Sequence, residues 1–176
     1  MAKGDLESRL DGYKKSVGFG QLGGLAATTA GVLNAEKVAS SFGMENLLNK
    51  SYNVFGYNVA PGLPVLGAVT NFIGDQIGFA ASLYAYNRDK YKGIKGKFKF
   101  VKDFSDLGIR HLGSYAITYP LAIAASTGLA AAGLLTGAAA TILPYVIESI
   151  FTGFGYIFST MGLRKKSYSP QPAYAH

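Results

Sequence analysis

The sequence predicts an all-α fold, an integral membrane four-helix bundle with both termini on the cytoplasmic side. Three observations carry that expectation. Apolar runs of roughly the 20 residues a helix needs to cross hydrocarbon recur along the chain. The charged residues, 15% of the total against 49% hydrophobic, are clumped between those runs. The lysines and arginines also fall unevenly: 15 of the 17 lie on one side of the alternating spans, and only Lys37 and Lys50 on the other. By the positive-inside bias this places both ends in the cytoplasm, and makes the chain a multi-pass protein of the plasma membrane.

Taken in order, residues 1–15 are polar and basic and read as a retained interfacial helix, since no small-residue cleavage site follows a compact apolar core. The first span is read over residues 17–39. It carries Gln21, Thr28, Thr29 and Asn34, and the Gly20-x-x-x-Gly24 spacing suits close contact with another helix. The connector 40–60, rich in Asn, Gly and Tyr, holds a short amphipathic helix over Met44–Lys50 and then a turn. The second span, 61–86, opens on Pro61 and Pro64, which a first helical turn tolerates because its amides lack helical partners. It closes on Tyr84 and Tyr86 before a basic loop, 88–102. The third span, 104–135, contains Pro120, which removes one backbone hydrogen bond. The fourth, 141–163, carries Pro144 and Glu148 and ends at Arg164-Lys165-Lys166. Residues 1–166 therefore form a single domain, followed by a disordered tail over 167–176.

Composition removes several function classes. With no cysteine, disulfides, thiolate metal sites and cysteine nucleophiles are excluded. Two histidines, His111 and His176, make no metal site alone, and no phosphate loop, HExxH or GxSxG is present. Neither an enzyme nor a cofactor is expected. The formal charge of +7 is compatible with nucleic acid, but its placement between spans points instead to anionic headgroups at the 88–102 loop.

Asp75 is the sharpest candidate. A carboxylate inside an apolar helix is costly and faces a cavity or a partner. Asn71, one turn earlier, and Gln76 beside it complete a proton or solute pathway, with Glu148 as a second carboxylate nearer the other end. Arg88, Asp89, Asp106, Arg110 and His111 form a candidate cytoplasmic gate; Asp106 and Arg110 are spaced i, i+4 for one helix face, and His111 can titrate near neutrality.

The stretch Leu83-Tyr84-Ala85-Tyr86-Asn87-Arg88-Asp89-Lys90-Tyr91 resembles the end of the second helix of the AlaE-type L-alanine exporters, small four-helix inner-membrane proteins in which a Tyr-Gly-aromatic-x-Arg-Asp pattern precedes a basic loop. Lys102-Asp103-Phe104-Ser105-Asp106-Leu107 followed by Pro120 is similar to that family's third helix. Asp75 and the 40–60 connector depart from the family pattern. The resemblance implies proton-driven export of a small neutral amino acid by a homo-oligomer. The contrasting expectation is a structural scaffold or virion envelope component whose Gly/Ala-rich helices pack laterally, and a third is a channel-like pore.

Overall fold

The computed structural model describes residues 12–54 and 56–150, with the side chains of 108–114 outside that description. Helix α1 spans Tyr13–Leu33, α2 Ala35–Ser41 and α3 Glu45–Leu48; a two-stranded antiparallel hairpin pairs β1 (Tyr52–Val54) with β2 (Tyr57–Val59). Helix α4 spans Gly62–Tyr86, a 3-10 turn covers Arg88–Tyr91, α5 spans Gly93–Ala131, and α6 is described over residues 137–150. Gly12 enters α1 with φ 65, a left-handed conformation that glycine adopts without steric cost. Asn34 breaks the helix after α1: its side-chain amide donates to the Ala30 carbonyl at 3.0 Å, where its backbone N–H also ends.

The fold is mostly helical, but a membrane-spanning bundle is not what forms. No helix among the described residues is long and apolar enough to cross a membrane. The multi-pass topology and the plasma-membrane placement are corrected accordingly, and the transport keyed to them loses that support. The physical reason lies in where the polar residues fall. Helix α4 has the required length, but Thr70, Asn71, Asp75 and Gln76 interrupt its apolar sequence. Helix α1 begins with Lys14 and Lys15 and stops at Leu33, well short of residue 39. The stretch read as the 88–102 loop is helical from Gly93 onward. It joins the third span in one helix of 39 residues, whose lysines and aspartates lower its mean hydropathy. Pro120 lies inside that helix without ending it. The fourth span beyond residue 150, the interfacial helix over 1–11, the Arg-Lys-Lys cluster and the 167–176 tail lie outside the described residues.

Helices α1 and α4 run antiparallel and pack far more closely than any other pair. Glycines make this possible. A Cβ on Gly23 would lie 2.5 Å from the Gly74 carbonyl oxygen, one on Gly78 2.5 Å from that of Phe19, and one on Gly20 2.6 Å from Asp75 Oδ1. Gly20 and Gly24, spaced as the sequence suggested, both face α4, and Gly74-x-x-x-Gly78 is their counterpart. Two apolar clusters flank this seam. One gathers Tyr13, Val17, Phe79, Leu83, Tyr91 and Leu107; the other gathers Ala68, Ala122 and Tyr145. Asn71 and Asp75 occupy the stretch of α4 between them.

Backbone contact along the seam makes a directional prediction. Gly23→Ala should lower stability by about 1–3 kcal/mol through overpacking. Gly18→Ala, where an added Cβ meets nothing within 4 Å, should raise it by up to about 1 kcal/mol through helix propensity. Urea unfolding midpoints read both, and shifts in the same direction would count against the seam.

Candidate functional site

The central polar layer is built from two helix periodicities that meet. Asn71 and Asp75 lie one turn apart on α4, and Tyr115 and Tyr119 lie one turn apart on α5. Because α4 and α5 run in opposite directions, the pairs match in order: the Tyr115 hydroxyl donates to Asp75 Oδ2, and the Tyr119 hydroxyl donates to Asn71 Oδ1 at 2.9 Å. The two tyrosine rings stack with centroids 4.9 Å apart, and Phe72 meets Tyr115 edge-on at 5.7 Å. From α6, the Tyr145 hydroxyl donates to the Pro64 carbonyl oxygen at 2.9 Å, and its ring lies edge-on to Tyr119. Helix α1 closes the other side with bare backbone at Gly20 and Gly24.

Burial governs the chemistry of this layer. Asp75 is 4% exposed and Asn71 3%. Removal from water pushes the Asp75 carboxyl above its ordinary range, against the opposing pull of the Tyr115 hydrogen bond. Burial also raises the hydroxyls of Tyr115, Tyr119 and Tyr145, helped by the charges of Asp75 and Glu148 on the first two and of Glu148 on the third. These phenols therefore act as hydrogen-bond donors and not as proton acceptors. Gln76 Nε2 donates to Asp75 Oδ2 at a long 3.3 Å. Asn71 Nδ2 is buried and finds no acceptor among the described residues, an uncommon condition for a buried amide. The arrangement can hold a proton at Asp75, and it offers one amide donor beside it.

The structure therefore brings Asp75, Asn71 and Gln76 together and sets Glu148 close enough to act on the same tyrosines. Among the described side chains of the gate, no contact joins Arg88 or Asp89 to Asp106. Asp89 pairs with Lys92 at 2.5 Å within one turn, which lowers the Asp89 carboxyl and raises the Lys92 amine, while Arg88 and Asp106 are exposed. The side chains of Arg110 and His111 lie outside the described residues. No group of three or more His, Asp or Glu side chains able to hold a metal occurs among the described residues. Sequence reasoning missed Tyr115, Tyr119 and Tyr145. The signal for the first two was present: an i, i+4 tyrosine pair answering an i, i+4 Asn/Asp pair across an antiparallel hairpin.

Comparison with protein-family models, curated proteins and solved structures finds no match to this chain. The likeness to the AlaE-type exporters thus rests on the quoted residues alone.

The direction of the Asp75 shift sets a pH dependence. A carboxyl whose folded pKa lies above its unfolded value contributes stability that is fully present below the unfolded value, about 3.9. That contribution is lost as pH rises through the folded value. The groups facing it are Tyr115 and Tyr119 from α5 and Gln76 on its own helix, with Glu148 of α6 acting on the same tyrosines; α1 presents glycine. Asp75→Asn, which stays neutral, should flatten the decline of thermal stability with rising pH, and an unchanged decline would clear Asp75 of responsibility. Tyr115→Phe should cost about 1–3 kcal/mol by leaving a buried acceptor unmatched, measured by chemical denaturation.

Proposed function

We propose that the protein is a non-enzymatic structural subunit, a helical block that associates with copies of itself through the apolar outer faces of its helices. The observation supporting this reading is the inverted distribution of side chains. Asn71, Asp75, Thr28, Thr70, Ser126 and Thr141 are buried, while large apolar residues line the outside at helical spacing. Ile73 and Ile77 do so on α4, Ile117 (66% exposed) and Leu121 (65%) on α5, and Leu143, Ile147 and Ile150 on α6. Exposed apolar surface repeated on neighbouring helices marks a contact face. Small residues on these helices allow close lateral packing of the kind that α1 and α4 already make. The buried layer supports a structural role as well, because a buried carboxyl clamped by a phenol fixes the register of α4 against α5.

Sedimentation velocity at micromolar protein should show a discrete oligomer that Ile117→Ser with Leu121→Ser shifts toward monomer, with helicity unchanged by circular dichroism. A monomeric wild-type chain would overturn the reading, and so would a continuous spread of aggregates.

The unmatched Asn71 amide favours a second reading, in which the layer binds a small neutral amino acid or similar solute, its carboxylate on Asn71 Nδ2 and its ammonium on Asp75. Calorimetric titration with a panel of such solutes, L-alanine included, should then give heat that Asn71→Leu abolishes. No heat from any solute would leave Asn71 a structural residue.

A further inference from the structure

The first four turns of α5 show a second, separate surface. On the inward side Gly96, Phe100, Asp103, Phe104 and Leu107 are buried or half-buried. There the Tyr91 hydroxyl donates to Asp103 Oδ2 at 3.2 Å, and the Phe100 ring packs edge-on against Tyr91 at 5.2 Å. The opposite side carries Ile94, Phe98 and Val101, spaced i, i+4, i+7, at 76%, 74% and 58% exposure. At about 100° per residue these three share one narrow stripe. Lys97 falls on one flank of it and Lys95, Lys99 and Lys102 on the other, all exposed. Arg88, Lys90 and Lys92 extend the positive charge through the preceding turn, offset by the Asp89 contact to Lys92.

A core-facing helix has no use for a second apolar stripe, and a merely solvated helix has no reason to expose isoleucine, phenylalanine and valine in register. Lysines on both flanks of such a stripe bury their methylene stems along apolar surface while their ammonium groups stay in water. We propose that this face docks on an anionic phospholipid surface, with the helix lying in the plane of the headgroups. Ile94, Phe98 and Val101 enter the acyl boundary, and Lys95, Lys97, Lys99 and Lys102 meet lipid phosphates. Charge complementarity selects this partner over a neutral apolar one, and the apolar stripe selects it over a simple polyanion. The surface is independent of the self-association face, which lies on other helices and further along α5.

The chain has no tryptophan, so Phe98→Trp supplies a single reporter at the centre of the stripe. The full-length variant is mixed with vesicles of phosphatidylcholine alone or with about one-third phosphatidylglycerol, and separately with heparin. The proposal expects co-flotation with the anionic vesicles, a blue shift of the tryptophan emission, and release by salt. Replacing Lys95, Lys97, Lys99 and Lys102 by Gln should weaken binding at least about tenfold. These four side chains are exposed, and circular dichroism checks that the fold is kept. Equal binding to neutral vesicles, binding to heparin with no blue shift on anionic vesicles, or no binding to either vesicle would each overturn it.

Discussion

The close approach of α1 to α4 is the constraint on which the rest of the structure depends. Where Gly20, Gly23 and Gly24 face α4, one helix lends the other its backbone and no side chains. Asp75 and Asn71 are therefore sealed on that side by a surface that offers no cation and no side-chain donor. Any partner must come from elsewhere, and α5 supplies it with two phenols at matching spacing. Had α1 presented arginine or lysine there, Asp75 would be an ionised member of a buried pair. Opposite glycine, burial favours its neutral form, and the tyrosine hydroxyls serve as uncharged clamps. A buried polar layer of this kind is tolerable only when its members are matched, and Asn71 Nδ2, which finds no acceptor among the described residues, lies against the Gly24 backbone.

The two apolar clusters at either end make that layer narrow. Phe79 follows Asp75 by one turn and is 1% exposed, packed on Tyr13 and Phe104. Ala68, toward the other end, packs with Ala122 and Tyr145. The clusters thus cover the layer from both directions along α4 and add to the burial that raises the carboxyl. Threonines at the seam take no part in the layer. Thr28 and Thr70 return their hydroxyls to carbonyls one turn back, at 2.9 Å each, and Thr28 also lies 3.4 Å from the Gly67 carbonyl oxygen of α4, so both are satisfied by backbone rather than by the side chains of the layer.

Much of the helical content was legible in the apolar runs, and so was the singular position of Asp75 with Asn71 and Gln76. What misled was the inference from apolar length to membrane crossing. A run such as 61–86 reads as a span when its apolar residues are tallied along the chain. Viewed around the helix, its polar residues Thr70, Asn71 and Asp75 share the buried side, while Ile73 and Ile77 point outward. Those polar residues, with Gln76, hold the run below the mean hydropathy a span needs despite its length. Of the gate residues, Asp89 is satisfied locally by Lys92, a pairing three residues apart that the charge pattern alone did not single out. The tyrosine partners were missed because phenols inside apolar runs read as interfacial aromatics, and only the pairing of α4 with α5 reveals what they face.

Helix α5 ties these features into one mechanical unit. At 39 residues it is roughly 58 Å long, and its surroundings change along its length. Its first turns pack one side on Tyr91 and leave a basic, apolar stripe outside. Its middle turns supply Tyr115 and Tyr119 to the buried layer, and its later turns place Ala122 against Ala68 and Tyr145. The basic end and the tyrosine layer therefore share one rod, with Pro120 placed just beyond the second tyrosine. The proline removes a backbone donor one turn after Tyr115 and Asp75 meet, where neighbouring contacts from α4 and α6 can hold the helix in line. A proline placed earlier, among the lysines, would have weakened the helix where only one side is packed.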